Sequence, residues 1–376
     1  MKQSLIISSD FIKDISIILD KNNCSKILFV TGKTFRSYIS ESLSFEKYTT
    51  KTFSDFDKNT NIKDVMNLSR VIKDFKPDML IALGGGSVID ISKQANVLAN
   101  HCKVDSIEKL IKNNKLDVSN KYSPLVAIPT TAGTGSEATQ FSVVYIDKIK
   151  FSIDDERLLP NYIILDSNLI KSMTKKLIAT TAMDAMTQSI ESIWAIKSTD
   201  ESIDYATQSI HLLHENILKA YNDGYSDTVI ASNMQLAAYL SGKAINISRT
   251  TAAHALSYPI TIHHGISHGH AVAITLIKLI EIHSNASKYI INDPRGKKYI
   301  DKTMHHIFSL FNCSSYAECT LYFKNLMDNL SLEQDCKKIG IETDDQIEKI
   351  INEINLERLS NNPIKLSNKN LKDLFR

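Results

Sequence analysis

The feature that most constrains this 376-residue chain is a change of texture near residue 170. Before it, short apolar runs rich in β-formers alternate with amphipathic stretches: KILFVTG at 26–32, DVMNLSRVIKDF at 64–75, MLIALGGGS at 79–87, PLVAIPTT at 124–131 and NYIILD at 161–166. Strands alternating with helices imply parallel pairing, because a parallel neighbour is reached only through a crossover connection. Beyond residue 170, segments such as SIDYATQSIHLLHENILKAY keep the 3.6-residue apolar period of helices, and strand-like runs nearly vanish. The expectation is an α/β domain over 1–175 and an all-α domain over 176–376, closing in a short terminal helix.

Composition narrows the function classes. The net charge of +2 is the difference between 44 basic and 42 acidic side chains, with no basic stripe, so nucleic acid is not the expected partner. No apolar run approaches the roughly 20 residues of a membrane helix. The opening MKQSLIISSDFIKDISIILDKNN carries charges every few residues and reads as a strand and a helix rather than a signal peptide. Five cysteines, Cys24, Cys102, Cys313, Cys319 and Cys336, show no CxxC pairing, which suits free thiols in a reducing cytoplasm.

Two glycine-rich segments follow two successive strands. In GGGSVID at 84–90, Gly84, Gly85 and Gly86 let main-chain amides approach a pyrophosphate, and Ser87 is the expected N-cap of a helix that runs through Asp90. In PTTAGTGSEAT at 129–139, Thr130, Thr131, Thr134, Ser136 and Thr139 surround Gly133 and Gly135 with short-range donors. This is not GxGxxG, but the pair after two strands points to a dinucleotide. The first strand ends VTGKTFR, which sets Gly32, Lys33 and Arg36 where an adenosine ribose sits in a doubly wound sheet. A glycine flanked by cations, in place of an acid, accommodates the 2′-phosphate of NADPH as well as NADH.

The chemistry is expected in the second half. Asp184 and Gln188 are four apart in TAMDAMTQSIES and share one helix face. His254 and His268 begin and nearly end HALSYPITIHHGISHGH, a stretch of 17 residues that holds five of the chain's 11 histidines. A carboxylate with imidazoles suits Fe2+ or Zn2+ with an open position, and such a cation stabilises an alkoxide as a Lewis acid.

PTTAGTGSEAT, the Asp184 helix and HALSY…SHGHAVAI resemble the iron-containing (group III) alcohol dehydrogenase family, and the match is weakest after 290. The resemblance implies a Rossmann-like N-terminal domain, a helical C-terminal domain, an active site in the cleft between them, and a metal held by one Asp and three His. Asp184, His254 and His268 match that pattern, whereas Gln188 stands where the family usually has His, and Tyr258 where many members carry another His. Tyr258 offers a hydroxyl as proton donor, with His264, His270 or a water chain as the other routes. DAMTQSIESIWAIKST and KAINISRTTAAHALSYPIT resemble the phosphonoacetaldehyde reductase-like subgroup. There Arg249, with Ser248 and Thr250 beside it, offers a donor fork for a phosphonate or carboxylate, and Lys197 is a weaker candidate. The expected reaction is NAD(P)H-dependent reduction of a small anionic aldehyde, phosphonoacetaldehyde to 2-hydroxyethylphosphonate, by a homodimer. Butanal, lactaldehyde, a polyol or a phosphono-keto acid stay open as substrates. So does a lyase of the wider dehydroquinate synthase-like superfamily.

Overall fold

The computed structural model describes residues 3–32, 35, 47–56, 60–100, 106–112, 122–147 and 149–376. The chain forms two compact units: one comprises residues 1–131 and 135–171, and the other residues 132–134 and 172–376.

The first unit is built on six parallel strands. They are β1 (Ser4–Ser8), β2 (Lys26–Thr31), β3 (Thr49–Phe53), β4 (Met79–Gly84), β5 (Leu125–Pro129) and β8 (Tyr162–Asp166), in the order β1-β8-β5-β4-β2-β3. Helices α1 (Phe11–Lys21), α2 (Ile62–Phe75), α3 (Gly86–Leu98) and α4 (Ile107–Lys112) alternate with them. Successive side chains of a strand point to opposite faces, and here each face has its own core. Leu28, Val30, Leu80 and Ala82 pack with Val65, Leu68 and Ile91 of α2 and α3. Ile27, Phe29, Met79 and Ile81 pack with Ile15, Ile18 and Leu19 of α1. A sheet covered on both faces is why these strands read as continuous apolar runs. An antiparallel hairpin, β6 (Phe141–Ile146) with β7 (Ile149–Asp154), is the element whose alternating pattern the strand-and-helix reading passed over.

The second unit is helical. Its axis is α5 (Lys175–Trp194), buried at nearly every position from Ile178 onward. A helix with no solvent-facing side from there on belongs in the middle of a bundle. α6 (Asp200–Asp223), α7 (Thr228–Ser248), α8 (Ala252–His264), α9 (His268–Ser284) and α10 (Lys297–Leu310) pack around it. Beyond them come α11 (Tyr316–Asn329), α12 (Asp344–Asn352), α13 (Leu356–Ser360) and α14 (Asn368–Asp373). Two strands of two residues each, Ile290–Ile291 and Ile364–Lys365, are its only departure from an all-α unit among the described residues. No described helix is long and apolar enough to cross a membrane.

Candidate active site

In the first unit the strand order reverses between β2 and β4, since β3 lies on one side of β2 and β4 on the other. Open α/β sheets take ligands outside the carboxyl ends of the strands at such a point. Gly32 follows β2 there, and an added Cβ would meet nothing within 4 Å. Lys33 and Arg36 lie outside the described residues. Gly84, Gly85 and Gly86 follow β4, where a Cβ on Gly84 would fall 2.4 Å from Val88 Cγ2. The helix starts two residues earlier than Ser87 would allow as its cap. Gly85, with extended backbone, is the N-cap of α3, and Ser87 sits within the first turn. Thr130 and Thr131 follow β5, and the Thr130 amide donates to the Gly84 carbonyl at 3.1 Å, which ties the two segments together. Asp90 and Ser136, both candidate cofactor-binding residues, also bond to each other: the Ser136 hydroxyl donates a short hydrogen bond to Asp90 Oδ1.

In the second unit Asp184, His254 and His268 come together, with ligating atoms all within 4.8 Å of one another. Asp184 Oδ1 lies 3.3 Å from His254 Nε2 and 3.8 Å from His268 Nε2. Close helix packing sets this distance. A Cβ on Gly269, the residue after His268, would lie 1.7 Å from the Thr180 carbonyl oxygen and 3.1 Å from Asp184 Cβ. Only glycine lets α9 approach the backbone of α5 so nearly.

Glu191 completes the centre, and sequence reasoning passed it over. It is fully buried on α5, seven residues after Asp184 and so on the same face. Its Oε2 accepts a short hydrogen bond from His254 Nδ1, while Oε1 accepts from Thr251 Oγ1 at 2.7 Å and the Ala253 amide at 2.8 Å. Trp194 Nε1 donates to the same Thr251 hydroxyl at 2.8 Å. Burial pushes the Glu191 carboxyl up, but His254 and the Thr251 hydrogen bonds outweigh it and leave its pKa below the ordinary value. Burial likewise opposes charge on His254, and Glu191 with Asp184 reverses that and raises its pKa. A carboxylate on Nδ1 fixes the tautomer that turns Nε2 outward as a ligand. One carboxylate and two imidazoles, one of them so oriented, fit a divalent cation such as iron or zinc.

Gln188 is engaged at both ends of its amide. Its Oε1 accepts from Ser241 Oγ at 2.7 Å, and its Nε2 donates to the Thr134 carbonyl at 3.4 Å. Tyr258 stacks on His268 with ring centroids 5.4 Å apart and planes 8° from parallel. The Arg358 guanidinium carbon is 5.6 Å from the Tyr258 centroid, and Arg358 also donates to Thr250 Oγ1.

The other expected residues are placed differently. Arg249 ends α7 with φ of 63°, and its Nη1 donates to the Asn246 and Ile245 carbonyls of its own helix. Ser248 is buried and donates to Ser192 Oγ at 2.8 Å. Thr250 is also buried, and the Lys197 amide bonds Asn361 while its side chain is exposed. His264 lies ten residues beyond His254 on α8, about 15 Å along the axis. His270 Nε2 is 2.7 Å from the Glu333 carbonyl oxygen.

The second residue that motif reading passed over is Lys93, 1% exposed on α3, whose ammonium reaches Ser136 Oγ at 3.2 Å and the Thr139 carbonyl at 2.8 Å. Its spacing three residues after Asp90 was the available signal.

Comparison with known proteins agrees with this architecture. A family model described as iron-containing alcohol dehydrogenase matches residues 3–167, and one described as the C-terminal part of the Fe-containing alcohol dehydrogenase family matches residues 178–376. The phosphonoacetaldehyde reductase of Streptomyces viridochromogenes is 32% identical over 253 residues, 66% of this chain and 64% of that protein. The bifunctional aldehyde-alcohol dehydrogenase of Escherichia coli is 28% identical over 269 residues, 68% of this chain and 30% of that protein. The aligned part thus spans less than two thirds of either relative. The crystal structure of sulfoacetaldehyde reductase from Bifidobacterium kashiwanohense in complex with NAD+ superposes with a TM-score of 0.88 over 99% of this chain and 96% of that one, at 24% identity, a likeness of fold.

Proposed function

The chain belongs to the iron-containing alcohol dehydrogenase family, and from that premise we propose that it uses NADPH or NADH to reduce a small anionic aldehyde, phosphonoacetaldehyde to 2-hydroxyethylphosphonate. The observation that carries the reading is the convergence of Asp184, His254 and His268 on one point, with Glu191 orienting His254. These residues would hold Fe2+ or Zn2+, which when bound supplies Lewis-acid polarisation of a carbonyl oxygen. The segments after β2, β4 and β5 are the proposed cradle for a dinucleotide, whose nicotinamide would supply the hydride when bound. Gly32 in open space accommodates either cofactor.

Among the three side chains considered as proton donors, Tyr258 is favoured, because its ring lies against His268. His264 and His270 bond elsewhere: His264 is met by the Gly340 backbone and His270 by the Glu333 carbonyl. The anion is proposed to meet the guanidinium of Arg249 or of Arg358. Arg249 is five residues before His254, and Arg358 lies against the Tyr258 ring. The likeness to a phosphonoacetaldehyde reductase supports the phosphonate. A neutral aldehyde such as butanal or lactaldehyde is the second reading, favoured by the turn of Arg249 Nη1 onto its own helix carbonyls. A cytoplasmic homodimer completes the proposal, and the free thiols of Cys24, Cys313, Cys319 and Cys336 suit that compartment.

The test follows NADPH and NADH absorbance with phosphonoacetaldehyde beside butanal and lactaldehyde, in wild type, Arg249→Ala and Arg358→Ala. A higher kcat/KM for the phosphonate, with KM for it alone raised by an arginine substitution, is the expected outcome. Equal use of all three aldehydes removes the anionic substrate from the proposal.

A further inference from the structure

We infer that Lys93 and Asp90 are positioning residues for the dinucleotide, holding the segment around Gly135–Thr139 against the helix whose first turn carries the glycine triplet. The inference rests on the assignment of the nucleotide to these two segments.

Asp90, Lys93 and Gln94 are spaced i, i+3, i+4 on α3 and so share one face. Each reaches the chain between residues 136 and 143. The Lys93 ammonium bonds Ser136 Oγ at 3.2 Å, Thr139 O at 2.8 Å, Thr139 Oγ1 at 3.1 Å and Phe141 O at 3.1 Å. Asp90 accepts from the Ser136 hydroxyl through Oδ1 and from the Val143 amide at 3.0 Å through Oδ2. Gln94 Nε2 donates to Ser142 Oγ at 2.6 Å and Val143 O at 2.9 Å. Glu137, 3% exposed, is the other acid of this buried group.

An ammonium taken out of water is tolerated only with its hydrogen bonds made, and all four acceptors within reach of Lys93 Nζ lie between residues 136 and 141. An apolar side chain of similar volume can match a buried charged group in stability. What the Lys93 and Asp90 hydrogen bonds add is directional: they select one backbone path through Gly135, which has φ of 62°. The Thr130 amide bond to Gly84 O, at 3.1 Å, ties the beginning of the same segment to the turn before α3. Both glycine segments are therefore fixed to a single helix. A cradle already in its bound form binds a ligand without the cost of ordering it.

The test compares wild type with Lys93→Met and with the doubly neutral Lys93→Met/Asp90→Asn, in the full-length protein. NADPH and NADH dissociation constants are read from cofactor fluorescence, kcat at saturating cofactor from absorbance, and metal content from elemental analysis. The dissociation constant should rise tenfold or more in both variants, with a much smaller change in kcat and with metal content unchanged. Two results overturn the inference: wild-type affinity in folded Lys93→Met, or loss in Lys93→Met that the double variant restores, which traces the loss to an unpaired carboxylate. Should Lys93→Met not fold, the double variant alone is read the same way. Wild type that binds neither nucleotide overturns the assignment of the site together with the inference, whereas wild-type binding with unchanged variants overturns the inference alone.

Discussion

Glu191 and His254 form a buried carboxylate–imidazole pair in which the acid comes from the helix of Asp184 and the imidazole from a helix that begins some sixty residues later. The bond to Nδ1 leaves Nε2 as the atom that meets Asp184, 3.3 Å away. The orientation of one ligand is thus set by a residue that is not itself among the three.

Glu191→Gln keeps the shape but removes the charge. Outer carboxylates of this kind govern metal affinity by about 10- to 100-fold. A loss of that size is expected in competition with a chromophoric chelator, with the fold retained by circular dichroism. Unchanged affinity would confine Glu191 to a packing role.

Gln188 separates two views of the metal centre. Its amide oxygen is already bonded by Ser241, and its amide nitrogen bonds the Thr134 carbonyl. Gln188→Ala should therefore keep its full complement of metal while losing about 1–3 kcal/mol of stability from the groups left unpaired. Gln188→His should bind metal more tightly than wild type, since imidazole is the better donor. Loss of metal from Gln188→Ala by elemental analysis would identify Gln188 as a ligand.

Gly269→Ala places a methyl group against main chain that has no rotamer to yield, 1.7 Å from the Thr180 oxygen. Overpacking in cores costs about 1–3 kcal/mol, and the upper part of that range is expected by denaturant unfolding. Metal affinity should fall in the same variant, because α9 can relieve the clash only by carrying His268 away from Asp184.

Glu137 supplies a pH signature. Burial raises its pKa from 4.5 to about 7, with Lys93 opposing and Asp90 adding to the shift. Between those values the folded protein binds a proton that the unfolded chain does not. This contribution to stability is complete below pH 4.5, falls as pH rises, and is gone above about pH 7. Each pKa unit corresponds to about 1.4 kcal/mol. Urea midpoints of wild type and Glu137→Gln, compared between pH 4.5 and 8, should show wild type losing ground to the variant as pH rises. Parallel curves would mean that Glu137 titrates normally.

The strands and their crossovers were legible in the sequence, because a sheet buried on both faces writes itself as apolar runs such as KILFVT. Asp184, His254 and His268 were legible because ligand chemistry restricts residue type. Glu191 was not, since a carboxylate on a buried helix looks the same whether it meets an imidazole or a lysine, and its partner is 63 positions away. Ser87 misled because a serine after glycines is a sound N-cap by type, whereas Gly85 already has the extended backbone the cap needs. Arg249 shows the limit of adjacency: the sequence shows that it is five residues from a ligand, but not that its Nη1 donates to the Asn246 carbonyl of its own helix.

Residues 132–134 lie far from the helices in sequence, yet they belong to the helical unit: Gly133 abuts Thr181, and the Thr134 carbonyl bonds Gln188. The chain therefore crosses from one unit to the other at three peptide bonds, not one. A fragment cut at Ser172 would strip the helical unit of three of its own residues, expose the surface that Gly133 covers, and leave the Gln188 amide nitrogen without its acceptor. Domain excision, the ordinary route to a minimal metal-binding fragment, is closed to this architecture unless those three residues are grafted back.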